Sequence, residues 1–271
     1  MNAVFKEPFS RVKKDTLLIA AALTAAFLAA SCRGNTSLQP ANVETPTAAV
    51  DPATAGSISG TVRLDGKPPV LRPINMSAEP VCEKAHPAPV PSQEVVLGDG
   101  GTLANVVVYV KSNGLSKYKF AAPTGPAVLD QQGCMYEPHV VALHTGQKLE
   151  VQNEDQTTHN VHALPSSNSE WNKSQPPGAG PIEQTFSQPE MAIPVRCNVH
   201  PWMKAYVFVF KTPYFAVTGK DGKFQIANLP PGTYTVEAWQ EKYGIEDATV
   251  AVAPKQSQQA DFTFKSSNDV E

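Results

Sequence analysis

The sequence predicts an all-β protein, and three observations carry that prediction. Short runs of apolar and β-branched residues recur between clusters of Gly, Pro, Asn and Asp. Proline is abundant, 25 of 271 residues, while charged residues make up only 17%. No stretch of the folded part repeats its apolar residues at helical spacing over three turns.

Taken in order, the chain opens with what reads as an export signal, residues 1–31. Lys6, Arg11, Lys13 and Lys14 precede an apolar stretch, 16–28, that is too short to cross a bilayer by itself. Ala29-Ala30-Ser31 before Cys32 resembles a bacterial lipobox, with Ala29 where Leu is commoner. Cys32 is therefore expected to be the lipidated first residue of a membrane-anchored protein of the bacterial envelope; ordinary cleavage nearby is the alternative. Residues 32–55 are rich in Thr, Ala, Pro and Asn with few large apolar side chains, so they read as a flexible tether. Such a chain reaches about 25 to 30 Å. Without residues 1–31 the chain loses four of its 22 Lys and Arg and two of its 25 Asp and Glu, which leaves a net charge of −5. Nucleic acid is not an expected partner on that balance.

The first strand, 57–64, alternates apolar and polar residues and closes on Asp65-Gly66, a hairpin signal. Residues 104–110 are apolar on both faces and read as a central strand. A long polar connection containing Cys82 lies between them, and a further loop runs on to Cys134. Residues 149–152 alternate like a strand, turn at 153–155 and then present His159. The stretch 164–184 reads as a long irregular excursion, after which 192–195 and 206–210 form apolar strands on either side of a short turn.

That turn carries the chemistry. Cys197, His200 and Met203 stand at Cys-x2-His-x2-Met spacing, and a thiolate with two imidazoles and a weak axial thioether is the blue-copper ligand set. The turn lacks one imidazole, and His159 is placed to supply it. His162, three residues on, points to the opposite face of a strand. It reads as a packing or surface residue, as do His86, His139 and His144.

The turn, with Pro201 after its His and Trp202 before its Met, resembles the cupredoxins, and within them the amicyanin pattern. The resemblance is best over 132–211 and takes in Tyr136, Pro138, Gly146, Asn153, Asp155, His159, Asn160 and Val161. It implies a Greek-key sandwich, set here at 56–211, that holds one type 1 copper on His159, Cys197, His200 and Met203. It also implies that Asn160 ties its strand to the Cys-bearing turn. By the same resemblance His200 shows a ring edge at the surface, with Pro201 and Trp202 forming a docking patch for transient redox partners.

From residue 212 the character changes. Asp221-Gly222, an alternating strand, Pro230-Pro231-Gly232 and a second alternating strand resemble the carboxypeptidase regulatory-like, or transthyretin-like, β-sandwich module, here 212–265 with a tail at 266–271. That module normally opens with strands that 57–68 and 104–110 can complete, which would make the copper part an insertion.

Once Cys32 is set aside, three cysteines remain in an exported chain, where thiols tend to pair. Cys82 and Cys134 lie in Pro- and Gly-rich loops of the kind disulfides pin, which leaves Cys197 for a metal. A disulfide from Cys197 to either of them would abolish the site. Two functions compete. One is a lipid-anchored copper protein passing single electrons between envelope redox proteins; the other is a carbohydrate-binding or structural envelope protein with a copper-handling or degenerate site. An enzyme is not expected, because the paired His-x-His sets of multicopper oxidases and a second Cys in the ligand loop are both missing from the sequence.

Overall fold

The structure, a computed structural model, describes residues 48–111 and 114–266; the signal segment and Cys32 lie outside the described residues. The part of the expected tether that is described is tied down. Ala48 bridges to Tyr118, and Asp51 accepts backbone hydrogen bonds from Thr54 and Ala55, so 48–55 has backbone partners that its composition does not reveal.

The chain runs through β1 (Gly56–Asp65), a single helical turn α1 (Pro80–Lys84) and β2 (Val107–Lys111). Nine strands follow: β3 (Ala127–Gln132), β4 (Met135–Glu137), β5 (Val140–His144), β6 (Lys148–Asn153), β7 (His159–Ala163), β8 (Trp171–Gln175), β9 (Ile182–Thr185), β10 (Glu190–Arg196) and β11 (Lys204–Phe210). The last six are β12 (Phe215–Val217), β13 (Lys223–Leu229), β14 (Gly232–Gln240), β15 (Gly244–Val252), β16 (Ser257–Gln259) and β17 (Phe262–Lys265). The described chain is all-β apart from α1 and a short 3-10 turn.

The strands form two sandwiches. In the first, a five-stranded sheet ordered β5-β11-β10-β7-β8 faces a four-stranded sheet ordered β4-β3-β6-β9, and the two share one apolar core that includes Leu129, Tyr136, Val151, Val161, Val195 and Val207. In the second, β13-β1-β16, with β17 also on β1, faces β12-β2-β14-β15 over a core that includes Ile58, Val108, Phe224, Val236 and Phe264. β1 pairs with β13, and β2 lies between β12 and β14. Residues 56–111 thus give their strands to the second sandwich, and the first is strung between β2 and β12.

This explains why β2 and β11 are apolar on both faces. Val108 and Val110 of β2 enter the second core, while Val107 and Tyr109 join Phe208 and Phe210 of β11 in a third cluster between the sandwiches. The opposite face of β11, with Ala205, Val207 and Val209, fills the first core.

Two sequence expectations need correction. The turn at Asp65-Gly66 closes no hairpin, since β1 pairs with β13, and Asp221-Gly222 likewise joins strands, β12 and β13, that lie in different sheets. A glycine with positive φ, +97° at Gly66 and +67° at Gly222, reverses the chain whether or not the flanking strands pair. The 164–184 excursion also contains an edge strand, β8, whose outward polar residues hid its pairing with β7.

Candidate metal centre

The site lies at one end of the first sandwich, where β7 begins and β10 ends. Asn153 makes the approach to β7 a fixed turn: its amide donates to the Thr157 and Gln175 carbonyls at 3.0 and 2.8 Å, and its side-chain oxygen accepts the Asp155 N–H at 3.0 Å. This aims the Asp155 carboxylate at two backbone donors, Gly133 and Cys134, both at 2.7 Å. The same carboxylate takes the Nε2 of His159 at 2.8 Å. An ionised carboxylate only accepts, so His159 carries a proton at Nε2 and its Nδ1 faces away from Asp155. That Nδ1 points inward, 2.9 Å from the Nδ1 of His200.

Cys197 sits just beyond β10, with its Sγ 3.7 Å from His200 Nδ1. The sulfur accepts two backbone N–H bonds, from Asn160 and His200, each at 3.3 Å. The turn is closed by its own backbone: Cys197 N–H reaches the Met203 carbonyl at 3.2 Å, and Met203 N–H the His200 carbonyl at 3.0 Å. Met203 is fully buried in the first core. Asn160 accepts the Asn198 N–H at 3.2 Å on its side-chain oxygen and donates to Asn172 and Lys173 of β8, which locks β7 to the Cys-bearing turn.

The electrostatics follow from burial and these bonds. Burial pushes the Cys197 thiol up, but His159 and the backbone N–H groups of His200, Asn160 and Val199 pull it below its ordinary value. Burial pulls His159 down, and the Asp155 and Cys197 partners raise it above the usual imidazole range. His200 is lowered, first by burial and then by the charge on His159. Burial would raise Asp155, yet His159 and the two backbone donors hold it low.

The donor atoms of His159, Cys197 and His200 lie within 4.8 Å of one another, and all three residues are buried. The two inward Nδ1 atoms, 2.9 Å apart beside the Cys197 sulfur, can share a proton as a hydrogen bond or turn their lone pairs onto a common cation. The set of two imidazoles and a thiolate suits copper. A second grouping, Cys134 with Asp155 and His159, is equally close, but the Cys134 sulfur is spent in a disulfide with Cys82 and is no thiolate donor. Cys197 is the free cysteine among the described residues.

The ring edge expected at the surface is not there. His200 is 0% exposed, because Cys82 and Glu79 cover its Nε2. Pro201 is exposed, whereas Trp202 is half-buried, its indole N–H donating to the Cys134 carbonyl at 3.0 Å and its ring lying 5.2 Å from that of His200. His162 is not part of the donor cluster; it bonds Glu170 and, in the Cys-bearing turn, Asn198. Sequence reasoning did not assign a role to Asp155 or Glu79. For Asp155 the signal was a carboxylate four residues before a candidate ligand; for Glu79 there was none.

An all-β sandwich that gathers two imidazoles and a thiol in one buried cluster offers donors that suit a soft metal. The carboxypeptidase regulatory-like domain family matches residues 200–265. Solved structures similar to the chain include the copper-containing nitrite reductase NirK of Thermus scotoductus, at 21% identity, covering 38% of this chain and 25% of that one with a TM-score of 0.29. A methionine-to-alanine mutant of amicyanin, in its Cu(I) form, is similar at 21% identity, covering 38% of this chain and 98% of that one with a TM-score of 0.28. A purple cupredoxin from Nitrosopumilus maritimus is similar at 19% identity, covering 31% and 99%, with a TM-score of 0.27. The chain spans only a quarter of the nitrite reductase's length. No curated protein matches it.

Proposed function

We propose that the protein is an exported, lipid-anchored type 1 copper protein that carries single electrons between envelope redox proteins and catalyses no reaction of its own. The observation that supports this most is the convergence of two imidazole Nδ1 atoms and a thiolate in one buried cluster. Copper bound there supplies one-electron chemistry by cycling between two charge states. The chain's own residues do the rest. Asp155 fixes the His159 tautomer, two backbone N–H groups hold the Cys197 sulfur as thiolate, and the rigid turn between β10 and β11 keeps the donors in place when the charge changes. Burial of all three ligands excludes water. The membrane anchor would be lipid on Cys32, and the partners would be transient.

The test is an absorption spectrum of the purified, copper-loaded mature chain. A strong visible band from thiolate-to-copper charge transfer is the expected result. A colourless protein would overturn the reading and favour an envelope carbohydrate-binding or structural role. Anchoring is tested separately: Cys32→Ser should move the protein from the membrane to the soluble fraction, and an unchanged distribution would remove the lipid.

A further inference from the structure

A segment that gives no strand to either sandwich closes the donor cluster from outside. Residues 73–91 fold back on themselves, with Ile74 N–H donating to the Val90 carbonyl at 2.8 Å and a bridge between Pro73 and Pro91. Met76 and Cys82 anchor this segment in the first core, the cluster that also holds Met203. Its helical turn α1 brings Cys82 Sγ to 3.8 Å from His200 Nε2, and the Glu79 carboxylate, just before it, lies 3.9 Å from the same nitrogen. The bonded partner, Cys134, has its own Sγ within 4.8 Å of the Asp155 and His159 donor atoms. The cross-link therefore lies against the outer sides of both imidazoles. An ion approaching the donors past the imidazole edges has to pass it.

We propose that the Cys82–Cys134 disulfide latches residues 73–91 as a cap that governs metal exchange at the cluster of His159, Cys197 and His200. Metal enters while the two cysteines are thiols and is held kinetically once they are joined. The cross-link closes a separation of 52 residues, so losing it frees a long loop to leave the site. Opening the latch takes two electrons and two protons from a dithiol, which becomes a disulfide; closing passes them to a disulfide oxidant. The inference rests on the copper reading, and the first arm of its test does not.

In the metal-free full mature chain, the rate of Cys197 alkylation, mapped by peptide mass, is compared between wild type and the Cys82→Ala/Cys134→Ala variant. Cys197 should react roughly tenfold or more faster in the variant, with a shallow dependence on denaturant that marks local opening. Equal rates would sink the cap, and so would an acceleration with the steep denaturant slope of global unfolding. If the variant does not fold, wild-type protein with and without a phosphine reductant gives the same comparison. In the second arm, copper uptake by the metal-free chain and copper loss to a chelator are timed in both forms, and both should quicken by a similar factor when the latch is absent. Equal exchange with the cap latched or open defeats the latch alone; a chain that takes up no copper in either form defeats the metal reading.

Discussion

In the second sandwich, buried polar groups find their partners within the frame. The Thr218 hydroxyl donates to the Leu103 carbonyl and accepts the Val106 N–H, and the Tyr214 and Tyr234 hydroxyls donate to the Asn228 and Pro230 carbonyls. In the first sandwich, a thiol and two imidazoles instead face one another at one end of an equally apolar core. Buried polar groups without partners cost a few kcal/mol each. The first sandwich meets it by pairing the cluster with itself and with Asp155, His159 Nδ1 against His200 Nδ1 and the Cys197 sulfur against two backbone N–H groups, whereas the second pairs its hydroxyls with main-chain groups. Polar pairing in the second sandwich serves the frame, while in the first it gathers three potential metal donors, so substitutions in the two should have different readouts.

The largest expected effect is at Cys197. Cys197→Ser should abolish the visible band and copper redox cycling, while the metal-free protein keeps its stability to within roughly 1 to 2 kcal/mol. Spectrum and urea unfolding check this. A band that survives removes Cys197 from the site, and a collapsed fold would mean that the first sandwich depends on its donor cluster.

Next in size is the tie between the sandwiches. Glu241, buried just beyond β14, receives Lys204 Nζ at 2.7 Å and His139 Nε2 at 2.5 Å, and the other nitrogen of His139 bonds the Lys204 carbonyl at 3.1 Å. Lys204 directly follows Met203, so the second sandwich grips the base of the ligand turn. Removing the carboxylate leaves the buried His139 nitrogen without its partner, while Lys204, its side chain 40% exposed, turns to water. Glu241→Ala should cost roughly 1 to 3 kcal/mol and shift the visible band, with Glu241→Gln recovering part of both. An unmoved band would show that the second sandwich supports only itself.

A smaller effect lies on β2 and β14 of the second sandwich, away from the donor cluster in sequence. Burial would raise the Glu237 carboxyl, but hydrogen bonds from Lys111 and Tyr109 hold it below the ordinary carboxylate range. A carboxylate lowered in the folded state contributes stability above its unfolded value, about pH 4.3, that is lost as pH falls through the folded value. Glu237→Gln should lower stability at neutral pH by about 1 kcal/mol and flatten the decline on acidification. The visible band should not change, and a change would place Glu237 in communication with the metal.

Much of this was legible in the sequence, for identifiable reasons. Alternation marked β1 and β13, and the doubly apolar runs of β2 and β11 announced burial on two faces, though not that the second face of each meets the other sandwich. Ligand spacing marked Cys197, His200 and Met203 because the three lie in one turn. The cap was not legible. α1 is five residues long, too short to show a period, and the Cys82 contact with His200 joins positions 118 residues apart. A contact of that range leaves no local trace, so the buried ring of His200 could not be foreseen from the turn that carries it.

The smallest change distinguishes a ligand from filler. Met203 and Leu229 are both fully buried, Met203 in the first sandwich and Leu229 in the second. Exchanging Met for Leu conserves volume and costs less than about 1.5 kcal/mol. Leu229→Met should therefore lower stability slightly and leave the reduction potential alone. Met203→Leu should cost a similar amount, keep the visible band, and raise the potential, because a weak axial thioether donates to the oxidised ion and its removal favours the reduced one. Electrochemistry on the two variants decides the matter: if neither potential moves, Met203 is packing like Leu229, and the metal is held by His159, Cys197 and His200 without it.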